Sequence, residues 1–129
     1  MNLKSFVFYT GIYNILLATS LLYPPLFNGL LGLELSYPGN YMISGFLFFT
    51  AIVLIICSRD IKRYASFIYY EGLLRILEAG IMFHGAFWGD AGILFAVAAC
   101  GDLIIGMVYI IQLSRQTGIE HGDILLVRT

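Results

Sequence analysis

Charged residues divide the chain into long apolar stretches. None lies between Lys4 and Glu34 or between Glu34 and Arg59, and each stretch can hold a membrane-crossing helix, which takes roughly 20 apolar residues. The pattern predicts spans at about 4–23 and 40–58. After the polar Arg59-Asp60-Ile61-Lys62-Arg63, a third span is expected at about 64–84, and Gly85 to Gly92 turns into a fourth at about 92–113. The expected fold class is all-α, an integral membrane four-helix bundle over 1–113 with a cytoplasmic tail at 114–129. In that tail the Ile124-Leu125-Leu126-Val127 run is too short to span. The first connector, Tyr23-Pro24-Pro25 to Pro38-Gly39-Asn40, is bracketed by prolines, which are expected to end the helices beside them. Its middle, Leu26 to Leu33, is apolar enough to lie in the membrane interface. The start of the chain resembles a secretory leader, but its apolar pattern continues through Leu21-Leu22-Tyr23, which predicts a retained first span.

Composition agrees with this reading. Hydrophobic residues make up 60% of the 129 and charged residues 12%, with a mean hydropathy of +0.87, which excludes a soluble monomer. A net charge of -1 leaves no basic excess for nucleic acid, so no nucleic-acid partner is expected. Cys57 and Cys100 sit in apolar stretches and are expected to be small buried hydrophobes without a disulfide. Lys4, Arg59, Lys62, Arg63, Arg115 and Arg128 all fall on one side of the four-span pattern, while the opposite loops carry only Glu34 and Asp90. Cytoplasmic loops retain cations, so both termini are expected to be cytoplasmic in the cell inner membrane. Tyr23, Tyr37, Tyr41 and Trp88 then belong to the outer interface and Tyr64 to the inner one.

A short internal match joins spans one and three, Gly11-Ile12-Tyr13-Asn14-Ile15-Leu16 against Gly72-Leu73-Leu74-Arg75-Ile76-Leu77. A fainter echo joins Gly45-Phe46-Leu47 to Gly101-Asp102-Leu103, as if two hairpins were repeated about an axis along the membrane normal. Gly92, Ala96, Ala98, Ala99, Gly101 and Gly106 are small residues that allow close packing in span four.

Four ionisable residues interrupt these apolar spans: Glu71, Arg75, Glu78 and Asp102. A charge at the bilayer centre costs about 2.5–3.5 kcal/mol on insertion scales, so such residues face the bundle interior and find partners. Steps of four and three put Glu71, Arg75 and Glu78 on one helix face. Arg75 lies 11 residues beyond Tyr64 and Asp102 lies 10 beyond Gly92. At a constant rise per residue they reach the midplane together, and an ion pair is expected. Asn14 and Thr50 arrive near the same depth. These contacts could serve only to fix helix register, at ~0.6–2 kcal/mol each. Three carboxyls against one guanidinium cannot all be ionised cheaply, however, so at least one is expected to be protonated, water-exposed or paired with a cation or a basic ligand head group. His84 is expected at the interface. His121, beside Glu120 and Asp123, would need ligands from elsewhere to hold a metal, and no metal site is expected.

Gly11-Ile12-Tyr13-Asn14, Tyr23-Pro24-Pro25, Arg59-Asp60-Ile61-Lys62-Arg63-Tyr64 and Gly101-Asp102-Leu103-Ile104, set in a four-span plan, resemble the DoxX-like class of small bacterial membrane proteins. The resemblance implies an accessory or lipophilic-ligand role, since some members of that class are associated with quinone-linked oxidoreductases. It carries no catalytic residue and names no cofactor. Small multidrug transporters share this size and span number but have a membrane carboxylate in the first span, where this chain has Asn14. The expected function is binding of a lipophilic or quinone-like small molecule at Asn14, Glu71, Arg75, Glu78 and Asp102, as an accessory subunit of a membrane redox system. Proton-coupled small-molecule transport and a membrane enzyme acting on a lipophilic substrate are the alternatives. The expected partners are the lipid bilayer, that small molecule, and a membrane protein or second copy of the chain.

Overall fold

The computed structural model describes residues 2–31 and 36–128, and every regular element among them is a helix. Four are long: α1 (Leu3–Leu21), α3 (Tyr37–Cys57), α4 (Ala65–Trp88) and α5 (Ile93–Thr117). Two are short: α2 (Pro24–Leu31) and α6 (His121–Leu125). Glu34 and the Gly32-Leu33 part of the apolar connector lie outside the described residues.

Local chemistry explains where the helices start. The Asn2 side chain accepts the Lys4 N–H at 3.0 Å, and Ser36 Oγ accepts the Gly39 N–H at 3.3 Å, so each supplies an acceptor to an otherwise unpaired donor of the first turn. The prolines behave differently from the expectation. Pro24 and Pro25 open α2, and Pro38 sits in the first turn of α3. A proline there lacks only a donor that has no intrahelical partner anyway, and its fixed φ suits the helix. Hence α3 begins at Tyr37, earlier than expected, and the connector contains a helix bent 108° away from α1.

The long helices form two antiparallel pairs. In the first, Ser44 Oγ of α3 donates to the Ala18 carbonyl of α1 at 2.7 Å, and Gly11 lies against Ala51 and Ile55 further along. In the second, Gly72 of α4 lies against Gly106 of α5, and Gly85 against Phe95. The pairs meet through α1 and α5. The Tyr109 hydroxyl hydrogen-bonds Thr10 Oγ1, the Phe6 and Tyr109 rings meet edge to face at 5.8 Å, and the Leu3 N–H donates to Gln116 Oε1 at 3.0 Å. By contrast, α3 and α4 touch only sparsely, which leaves a cleft between them.

This arrangement brings the start of α1, the end of α3, the start of α4 and the end of α5 to one end of the bundle, which carries Lys4, Arg59, Lys62, Arg63, Arg115 and Arg128. The buried core is concentrated there, around Leu3, Val7, Leu54, Ile68, Tyr109 and Leu113. Residues 114–125 pack against the bundle. α5 continues to Thr117, Gly118 adopts φ +71°, and α6 folds back so that Ile124 is fully buried in the core. Only a residue without Cβ takes that backbone conformation at little cost. Ser66 Oγ and the Tyr70 hydroxyl then donate to the Ile124 and Leu125 carbonyls at 2.7 and 2.6 Å.

Large apolar side chains cover the outer faces of the long helices: Leu16 on α1, Met42 and Phe49 on α3, Leu77 on α4, Val97 and Ile104 on α5. Such a surface suits lipid contact. By length and composition, α3 and α5 are apolar enough to cross a membrane, and the bent α1 and α2 pair makes a third candidate. The 24-residue α4 stands outside that group, because it carries Glu71, Arg75 and Glu78. Cys57 is buried as expected, whereas Cys100 faces outward from α5, and both thiols are free.

Candidate functional site

Arg75 lies midway along α4 and is only 5% exposed. Its guanidinium reaches three helices. Nε donates to the two Glu71 carboxylate oxygens at 3.0 and 3.1 Å, one turn back on α4. Nη1 donates to Asp102 Oδ1 of α5 at 2.7 Å, and Nη2 to Asn14 Oδ1 of α1 at 2.9 Å. Charge-assisted bonds of this length are about twice as strong as neutral ones, and the planar fork fixes all three partners at once.

The backbone explains why Asp102 is within reach. A Cβ added at Gly106 would stand 2.7 Å from the Gly72 carbonyl oxygen, and one added at Gly72 would stand 3.1 Å from the Gly106 oxygen. The two helices therefore touch backbone to backbone about one turn from the ion pair. No side chain separates them, so the short Asp102 reaches Arg75 directly.

Of the expected polar set, Asn14, Glu71, Arg75 and Asp102 come together. Glu78 makes no hydrogen bond or ion pair among the described residues, although it lines a cavity with them. Thr50 lines that cavity too, but its hydroxyl donates to the Phe46 carbonyl of its own helix at 2.9 Å and does not join the cluster.

Asn14 carries the sharpest anomaly. Arginine is a donor only, so Oδ1 must be the atom that faces Nη2, and this fixes the orientation of the amide. Asn14 Nδ2 is then left buried without an acceptor, on a residue 1% exposed. An unmade bond of this kind costs about 1–3 kcal/mol. Asn14 also lines a cavity of about 350 Å³. Its floor is the polar set, and its walls include Phe27, Phe46, Leu74, Ile81, Met82 and Phe95. A second cavity of about 360 Å³ shares Phe46, Thr50, Glu71 and Leu74 with the first and continues toward Cys57, Tyr70 and Val127. Together they make one slot along the sparse α3 and α4 contact. Apolar walls with a few convergent polar groups are the usual form of a small-molecule pocket.

The Thr10 and Tyr109 pair, a buried hydroxyl contact between α1 and α5, is absent from the sequence reading. Its only trace there is two hydroxyl-bearing residues within apolar runs. His84 is exposed beside Trp88, with ring centroids 5.7 Å apart, and His121 packs against Tyr69 at 5.8 Å. Among the described residues no group of three or more His, Cys, Asp or Glu side chains converges as a metal site would require. Comparison of the chain with protein families, with curated proteins and with solved structures returns no match.

Proposed function

We propose that this protein is a four-span inner-membrane bundle with both termini cytoplasmic, and that it holds a lipophilic small molecule between α3 and α4, its polar part on the Asn14, Glu71, Arg75, Glu78 and Asp102 floor. The single observation that carries the reading is the cavity of about 350 Å³, whose apolar walls close on the Asn14, Glu71, Arg75, Glu78 and Asp102 side chains. A bound molecule lays its apolar part on those walls and its polar part on that floor. The excess of carboxyls over cations favours a ligand that also donates hydrogen bonds, and the free Glu78 carboxyl is available to accept one. On this reading α4 crosses the bilayer despite its charges, because Arg75 is enclosed by its partners. The DoxX-like resemblance adds a role as accessory subunit of a membrane redox system.

Proton-coupled transport is the second reading, favoured by one feature: Glu71 and Glu78 are carboxyls on the wall of a cleft that opens between two helices.

Mass spectrometry of lipophilic molecules that copurify with the protein tests the proposal. The native chain is expected to carry one, and both Asn14→Leu and Leu74→Trp, which fills the slot, are expected to lose it. A native chain that purifies with an empty cleft and gains no stability from added lipophiles would reduce the cluster to a device for holding helix register.

A further inference from the structure

We propose that a second site, at the basic end of the first hairpin, binds the phosphate of an anionic membrane lipid. It rests on reading α1 and α3 as membrane-crossing helices, but not on any ligand in the α3 and α4 slot. A cleft of about 330 Å³ lies between the start of α1 and the end of α3. Lys4 enters it from one helix and Arg59 from just beyond the other, with Ser5 and Ser58 beside them. Among the described residues no carboxylate lines it. Neither cation forms an ion pair among the described residues. The adjacent acid, Asp60, is not among the lining residues and accepts the Arg63 N–H at 3.1 Å. Two like charges thus face one concavity, an arrangement that an anion between them stabilises.

The polarity of the cleft separates a lipid from a free anion. Behind the cations, Phe8, Tyr9 and Ile55 form its walls. Helical spacing continues that wall through Ile12 and Leu16 on α1 and Ile52 on α3, all of them exposed. Inorganic phosphate would use only the rim, whereas a phospholipid fills the rim with its head and lays its chains on the apolar track. Basic pockets between helices on the cytoplasmic side are suited to such head groups, and each cation near the surface adds about 1 kcal/mol, close to fivefold in affinity.

The test uses the full chain in neutral detergent, titrated separately with phosphatidylglycerol, phosphatidylcholine and inorganic phosphate, and read by native mass spectrometry and by the unfolding midpoint. Phosphatidylglycerol is expected to remain bound and to raise the midpoint, with phosphatidylcholine bound at least tenfold more weakly. Lys4→Gln and Arg59→Gln are each expected to weaken phosphatidylglycerol about fivefold. Lys62→Gln, which removes the same charge outside the cleft, is expected to leave it unchanged. Equal losses in all three variants, or no preference between the two lipids in the native chain, would overturn the site. Protection by inorganic phosphate equal to that by the lipid would overturn the lipid and leave a free-anion site. Resistance of the chain to alkaline extraction from membranes reports on the membrane reading separately. If the chain resists extraction but shows no lipid preference, only the lipid site fails.

Discussion

Asn14 and Arg75 occupy equivalent places in the two hairpins and bond to one another, Arg75 Nη2 donating to Asn14 Oδ1 at 2.9 Å. Each stands three residues after a glycine that lies against the backbone of its partner helix, Gly11 beside the Ala51 carbonyl and Gly72 beside the Gly106 carbonyl. The short match between the two segments therefore marks two comparable helix crossings. What differs is the side chain each presents: a neutral amide from the first hairpin, and from the second a cation held by two acids.

Arg75→Leu is expected to be the most damaging single change in the cluster. It leaves Glu71 and Asp102 without a cation, and removing one partner of a buried pair costs about 3–5 kcal/mol. Asp102→Asn keeps an acceptor for Nη1 and is expected to cost less. Thermal unfolding in detergent orders the two, and an Arg75→Leu midpoint equal to that of the native chain would contradict the arrangement.

At the helix crossing, Gly106→Ala places a methyl group 2.7 Å from the Gly72 carbonyl oxygen, a backbone atom that cannot move without parting α4 from α5. Overpacking of this kind costs about 1–3 kcal/mol, more than the ~1 kcal/mol that alanine gains over glycine in a helix. Gly101 has nothing within 4 Å of its Cβ position, so Gly101→Ala is expected to be neutral or stabilising. Unfolding midpoints that shift alike for both variants would argue against the close approach.

Thr10 and Tyr109 are expected to respond unequally to loss of their hydroxyls. Thr10 Oγ1 already donates to the Val7 carbonyl at 2.9 Å, so the Tyr109 hydroxyl is the donor between them. Tyr109→Phe removes one bond, about 0.5–1.5 kcal/mol, while Thr10→Val strands a buried phenol at about 1–3 kcal/mol. Stability measurements on both variants and the double variant decide this, and a Tyr109→Phe cost above that of Thr10→Val would reverse the donor assignment.

Topology is open to reporter fusions. With Lys4, Arg59 to Arg63 and Arg115 at one end of the bundle, a cytoplasmic reporter after Thr129 and a periplasmic reporter in the Gly85 to Gly92 loop are expected to be active. The opposite pattern would invert the orientation.

Much of this was legible along the chain, because some properties depend only on position within one helix. The apolar runs specify the long helices, and the four-residue step from Glu71 to Arg75 specifies a shared face. A constant rise per residue brings Arg75 and Asp102 to one depth before any packing is known. The helix boundaries were less legible, since Pro24 and Pro38 can end one helix or open the next and only neighbouring acceptors such as Ser36 decide which. Tertiary structure alone determined which further polar groups join Arg75 and Asp102. Glu78 has the same kind of spacing from Arg75 as Glu71 has, yet makes no bond among the described residues, and Thr50 shares the expected depth with Asn14 but turns to its own backbone. Depth follows from counting residues, but contact also depends on how each helix is rotated about its axis. That rotation is set where glycines let two backbones touch, as Gly72 and Gly106 do, and where Ile124 returns from the far end of the chain to fill the core.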